Sequence, residues 1–119
     1  GQPIKVSLIW MDPPGAVQAA GLLDPPVKHL VNDLDLKVVG GNLNSTFLPW
    51  VLNPTSPAAP ATTGVNVRDN VEQVVIATGQ SADYEIQISH SGALLSNQSQ
   101  EFCVLWTNLK SKGPSAFKP

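Results

Sequence analysis

The chain has 119 residues and a formal net charge of −2, from seven basic and nine acidic residues. This length fits a single domain, and 42% hydrophobic against 13% charged residues favours a folded globular chain over a disordered one. The slightly acidic balance supplies no basic patch, so we expect neither a nucleic-acid partner nor a membrane partner.

Strand signals recur along the chain, whereas helical signals are scarce. In chain order, alternating or continuous apolar runs predict strands at 4–10, 33–39, 71–77, 83–89 and 101–108. The stretch AVQAAGLL at 16–23 lies between prolines on both sides, so we assign it to a loop. The segment FLPWVL at 47–52 predicts a sixth, short strand that its proline restricts to a sheet edge.

The second strand contains an unusual pair of aspartates in LVNDLDLKVVGG. Because side chains alternate between the faces of a strand, Leu34 and Leu36 are predicted to face a core and Asp33 and Asp35 to face outward together. In the last strand, EFCVLWTN, both faces are apolar, which predicts a central position in a sheet and makes Cys103 a small buried hydrophobic residue. The pattern as a whole predicts an all-β chain, an antiparallel β-sandwich or jelly roll with a single domain.

Oxygen-bearing side chains cluster at the predicted strand ends, with no His or Cys beside them. Carboxylate and amide oxygens suit a hard cation, and calcium accepts several of them in irregular geometry. The predicted calcium ligands are Asp12, Asn32, Asp33, Asp35, Asp69, Asn70 and Glu72. The alternative is structural: Asp and Asn often close turns by bonding to their own backbone, and Arg68 or Lys37 can neutralise the aspartate pair.

The two histidines do not predict a catalytic site. Nucleophilic hydrolysis requires a Ser or Cys beside a His that an acid orients. His90 ends a strand in ISHSG and is predicted to bond to a loop carbonyl, and His29 in PPVKHLVN is predicted to be solvated. We therefore expect that this chain alone is not an enzyme. The triplets at Asn44 and Asn97 match glycosylation acceptors, and they indicate surface loops.

Several segments in a fixed order resemble one protein family. They are VSLIWMDPPG, LVNDLDLKV, RDNVEQVVI, ADYEIQIS and EFCVLWTN. This combination is similar to the C-terminal domain of secreted subtilisin-like serine proteases of the oxidatively stable alkaline type, over nearly all of residues 1–119. The segment at 38–64 departs from the family pattern, and Asp69 stands where the family commonly has Asn.

The resemblance implies a non-catalytic, calcium-binding β-sandwich that follows a catalytic domain in the same polypeptide and is secreted with it. It points to Asp12, Asp33, Asp35, Asp69 and Asn70 as metal ligands. The implied role is to stabilise the catalytic domain or to contact protein substrates. An alternative from another class is a carbohydrate-binding or adhesion module, with Trp50 in FLPWVL as a stacking platform for sugars.

Overall fold

The computed structural model describes residues 1–21 and 26–112, whose regular secondary structure is almost entirely β-strand. The strands are β1 (Ile4–Trp10), β2 (Asp33–Gly40), β3 (Ser45–Phe47), β4 (Trp50–Val51), β5 (Thr62–Thr63), β6 (Val71–Ile76), β7 (Tyr84–Ser91) and β8 (Phe102–Thr107). The helical structure in the described ranges is one 3-10 turn at Leu95–Asn97. None of it is long or apolar enough to cross a membrane as a helix.

The strands form an antiparallel sandwich. One sheet has the order β6-β1-β8, the other has the order β3-β2-β7, and β4 pairs with β5. All the pairings are antiparallel. On one side of the sandwich β6 contacts β2 and β3, which leaves β8 on the side of β7. The predicted all-β sandwich is confirmed.

The core lies between the central strands of the two sheets, because their alternate side chains are apolar. The buried residues are Ile4, Val6, Leu8, Trp10, Leu34, Leu36, Val38, Val74 and Ile76. They alternate with polar or exposed residues in β1, β2 and β6, the period that a half-buried strand requires. The indole of Trp10 closes one end of this core and donates a hydrogen bond of 3.1 Å to the backbone carbonyl of Asn32.

Most predicted strands are confirmed, but three details of the prediction are wrong. The last strand, β8, is an edge strand and not a central one, and Cys103 on it is exposed. Both faces of β8 are apolar although the second sheet does not cover it. The segment 47–52 forms parts of two strands, because buried Pro49 separates β3 from β4. The described part of 16–23 is irregular as predicted, and residues 22 and 23 lie outside the described ranges.

The third correction concerns the aspartates of β2. Asp33 and Asp35 share one face of the strand as predicted, but that face is not open to solvent. Asp33 is only 6% exposed, and Asp35 is half-buried. Pro49 and Asn66, from the segment between β3 and β6, line a cavity beside Asp35, and Lys28 forms an ion pair with Asp33.

Gly40 ends β2 where the backbone of β7 comes closest. Its φ of 156° is one that residues with a Cβ rarely adopt, and a Cβ there would lie 2.7 Å from the Cα of Tyr84. We expect Gly40→Ala to lower the free energy of unfolding by about 2–4 kcal/mol, from backbone strain and overpacking. Gly92→Ala is the matched control, since Gly92 also has a positive φ but no atom near the added Cβ. Urea unfolding measures the effect. Equal losses of unfolding free energy in the two variants would contradict the close approach of the β7 backbone to Gly40.

Candidate functional site

A cavity of about 220 Å³, here called the acidic cavity, opens beside the first half of β2. It is lined by polar or charged side chains from four parts of the chain, among them one lysine, and by four apolar residues. The polar ones are Asp35, Lys37, Asn66, Glu72, Ser89 and Ser91, and the apolar ones are Leu36, Leu48, Pro49 and Val65. The sandwich brings them together because β7 pairs with β2 while β6 packs across it.

Glu72 on β6 is the most deeply buried polar group of the cavity, at 1% exposure. Its Oε2 accepts a hydrogen bond of 2.8 Å from the backbone N–H of Leu36 on β2. Strand β3 pairs only with residues 38–40 of β2, so at Leu36 the edge of β2 has no strand neighbour on that side. The Glu72 carboxylate takes the place of that missing neighbour. Its second oxygen, Oε1, is buried and has no hydrogen-bond partner.

The two aspartates of β2 each have one bonded and one unbonded oxygen. Asp33 Oδ2 forms an ion pair of 2.8 Å with Lys28 Nζ. Asp35 Oδ2 accepts a hydrogen bond of 2.6 Å from the hydroxyl of Ser91 on β7. Asp33 Oδ1 and Asp35 Oδ1 are buried without a partner. The cation that neutralises this pair in part is therefore Lys28, and neither Lys37 nor Arg68.

The carboxylates act on one another electrostatically. The pKa of Glu72 is raised from an ordinary value near 4.5 to about 8. Burial is the main cause, and the negative charges of Asp35, Asp33 and Asp69 add to it, while the hydrogen bond from Leu36 opposes it. Without a cation in the cavity, the fold thus favours a protonated Glu72 at neutral pH.

Asp12 and Asn32, two of the predicted ligands, are occupied by structural hydrogen bonds. The Asp12 carboxylate accepts the backbone N–H groups of Val31 at 2.7 Å and of Asn32 at 2.8 Å. The amide of Asn32 accepts from the N–H of Leu95 and donates to Gln100. These contacts fix the loop before β2 to the segment before β8, in line with the structural alternative.

Asp69 and Asn70 lie next to Glu72 in the chain but are exposed. Asn70 Nδ2 donates to the carbonyl of Trp10 at 2.8 Å, and Asp69 Oδ2 accepts from Asn66 Nδ2 at 2.8 Å. Asn66 was not predicted. It is buried and closes a turn, because its Oδ1 accepts the backbone N–H groups of Arg68 and Asp69. An Asn whose side chain accepts from the backbone N–H groups two and three residues further along the chain is typical of such a turn.

The cavity meets the chemical requirements of a hard cation only in part. Within residues 1–21 and 26–112, no group of three or more His, Cys, Asp or Glu side chains is arranged to hold a metal ion. Buried carboxylate oxygens without partners are nevertheless costly, and Asp33, Asp35 and Glu72 each have one. An all-oxygen donor set of this kind fits calcium or another hard cation. Of these three residues, Asp35 and Glu72 line the acidic cavity and Asp33 does not.

Comparison of the chain with protein-family models, with curated proteins and with solved structures finds no match in any of the three. The function is therefore argued from the residues and the geometry of the site.

The raised pKa of Glu72 predicts a pH dependence of stability in the metal-free protein. A group with a folded-state pKa above its unfolded value stabilises the fold at low pH, and this stabilisation is lost as the pH rises. We expect the free energy of unfolding in chelator to fall between about pH 5 and about pH 9. Glu72→Gln keeps an acceptor for the Leu36 N–H and is expected to remove most of this fall.

The matched control is Glu101→Gln, which changes an exposed carboxylate. Urea unfolding across this pH range measures the effect. A Glu72→Gln profile as steep as that of the unchanged chain contradicts the assignment.

Proposed function

We propose that this chain is a non-catalytic, calcium-stabilised β-sandwich domain of a secreted subtilisin-like serine endopeptidase. Its role is to stabilise the catalytic domain of the same polypeptide or to contact a protein substrate. The observation that carries the proposal is the set of three buried carboxylate oxygens without partners on Asp33, Asp35 and Glu72. The order of the LVNDLDL and RDNVEQV segments in the sequence supports the family.

In this proposal the ion binds at the edge of β2, where β6 of the other sheet contacts it. Asp33 and Asp35 belong to β2, and Glu72 belongs to β6 of the other sheet, so one cation stabilises both sheets in their packed arrangement. The cation also removes the mutual repulsion of the carboxylates and the cost of burying Glu72. An ion that binds only the folded state stabilises it by about 2.7 kcal/mol when present at about 100 times its dissociation constant. This is a large share of the stability of a small domain.

The contacts of the histidines agree with a non-catalytic role. His90 Nδ1 lies 2.7 Å from the carbonyl of Gly92, the loop-carbonyl bond predicted from the sequence. His29 Nδ1 lies 3.3 Å from the carbonyl of Ala16. In each case one ring nitrogen is bound to the backbone of a loop and not to a carboxylate that orients it for catalysis.

Calcium removal and re-addition test the site. We expect the chelator-treated chain to melt several degrees lower than the chain in about 1 mM calcium, since the bound ion stabilises only the folded state. Asp35→Asn is expected to lose most of the calcium response. Asp83→Asn, which changes an exposed aspartate away from the cavity, is expected to keep it.

Two results are incompatible with the calcium site. One is an unchanged melting temperature on adding calcium to protein with confirmed metal removal. The other is a full calcium response in Asp35→Asn. The protease assignment has a separate test, because it predicts a subtilisin-type nucleophile segment in the coding sequence upstream of Gly1.

A second candidate function is carbohydrate binding. Trp50 on β4 is 45% exposed and therefore presents part of its indole to solvent, as a stacking platform for a sugar ring requires. This candidate predicts that Trp50→Ala weakens retention on a polysaccharide column and leaves the calcium response intact. Leu52→Ala, at a neighbouring residue that is 67% exposed, is the control for loss of general apolar contact. Equal retention of all three proteins contradicts sugar binding through Trp50.

A further inference from the structure

On the side of the sandwich opposite the acidic cavity, strand β8 presents an edge that no other strand of the described chain covers around Leu105. It pairs with β1 on one side and with no other strand of the described chain. Apolar side chains are exposed on both of its faces, with Leu105 57% exposed on the outer face and Trp106 45% exposed on the inner face. The strand contains neither charged residues nor proline, the features by which natural edge strands avoid pairing with other chains.

The backbone of β8 is oriented to accept another strand. The N–H of Trp10 on β1 donates to the carbonyl of Asn70, on the β6 side. Backbone groups of an antiparallel strand point alternately to its two neighbours, so those of Ser7 point to β8. Ser7 pairs with Leu105. The backbone groups of Leu105 therefore face β1, and those of the residues on either side of it face away from the sheet.

These two residues, Val104 and Trp106, allow β8 to pair with itself. In an antiparallel pair centred on Leu105, Val104 of each copy lies opposite Trp106 of the other. The two Val104–Trp106 pairs are related by a twofold axis. Within each pair the two residues exchange backbone hydrogen bonds. Both side chains are on the inner face in both copies, so the apolar inner face continues across the junction.

The charges that flank β8 are complementary in the same arrangement. Glu101 directly precedes the strand, and Lys110 follows its end by three residues; both are exposed. Antiparallel pairing brings Glu101 of one copy toward Lys110 of the other, at both ends of the interface. Such complementarity favours this orientation over a parallel one, in which like charges meet.

We propose that the free edge of β8 is a dimerisation surface on which β8 of a second copy of this chain pairs antiparallel about Leu105. Two three-stranded sheets then become one six-stranded sheet, and the exposed side chains of Trp106 and Leu105 each bury part of their surface against the second copy. The contact is small, so we expect association in the micromolar range. This surface is independent of the calcium site and of the protease assignment.

The oligomeric state of the 119-residue chain tests the proposal. Sedimentation from low-micromolar to near-millimolar concentration is expected to show a reversible shift from 12.6 kDa to twice that mass. Leu105→Lys is expected to weaken dimerisation by at least about tenfold, because it places two like charges opposite each other. Leu43→Lys makes the same change at an 86% exposed leucine outside β8 and is expected to dimerise normally.

A disulfide tests the register separately. In a Cys103→Ser background, Leu105→Cys places directly opposed cysteines within bonding distance across the twofold axis, so mild oxidation is expected to give a covalent dimer. Leu43→Cys in the same background is expected to give no covalent dimer. A chain that is monomeric at every concentration overturns the proposal. A dimer that Leu105→Lys leaves intact, or an absent cross-link, overturns it as well.

Discussion

The packing of the two sheets depends on one buried carboxylate. Glu72 belongs to one sheet and accepts a hydrogen bond from Leu36, at the centre of the other. A carboxylate in this position satisfies a backbone N–H that no strand neighbour reaches, but it brings a titratable group into the core. The cost of that burial is lowered by a proton or by a cation. The raised pKa and the oxygen without a partner are two consequences of this single placement.

The two lateral sides of the sandwich are closed in different ways. On the β6 side, side chains that include Pro49 and Asn66 cover the edge of β2 around the acidic cavity. On the β8 side, the inner face reaches solvent through half-buried Ile88 and exposed Trp106. The polar side is suited to a small ion, and the apolar side is suited to a protein strand. In the two proposals, ion binding and strand pairing take place on opposite sides of the sandwich.

Local patterns in the sequence are sufficient to predict the strands but not their neighbours. Period-two alternation predicts β1 and β2 within one residue at each end, because the burial of alternate side chains is a local property. Strand order is set by contacts between residues far apart in the chain, and this is why β8, apolar on both faces, is wrongly placed in a sheet centre. An apolar outer face predicts that another protein surface packs on the strand. It does not indicate whether that surface belongs to the same chain.

The residues of the candidate site, too, are predicted only in part from local sequence. The composition of the NDLD and RDNVE segments predicts Asp33, Asp35 and Glu72, the residues that carry the unpartnered oxygens. The same composition includes Asp12 and Asn32, which form structural hydrogen bonds instead. Asp and Asn serve turns and metal sites with the same atoms, so composition does not separate the two uses. The burial of Asp33 is not revealed by the alternation in β2, which predicts an outward carboxylate.

The Asp12 carboxylate holds Val31 and Asn32 by their backbone N–H groups, so the ends of the long β1–β2 connection meet at a fixed base. Closing a loop at such a base has an entropic cost that grows only slowly with added length. Foreign peptide inserted near Gly21 would therefore be displayed on the surface with little effect on the strands below. This connection makes the sandwich a scaffold for engineered binding loops.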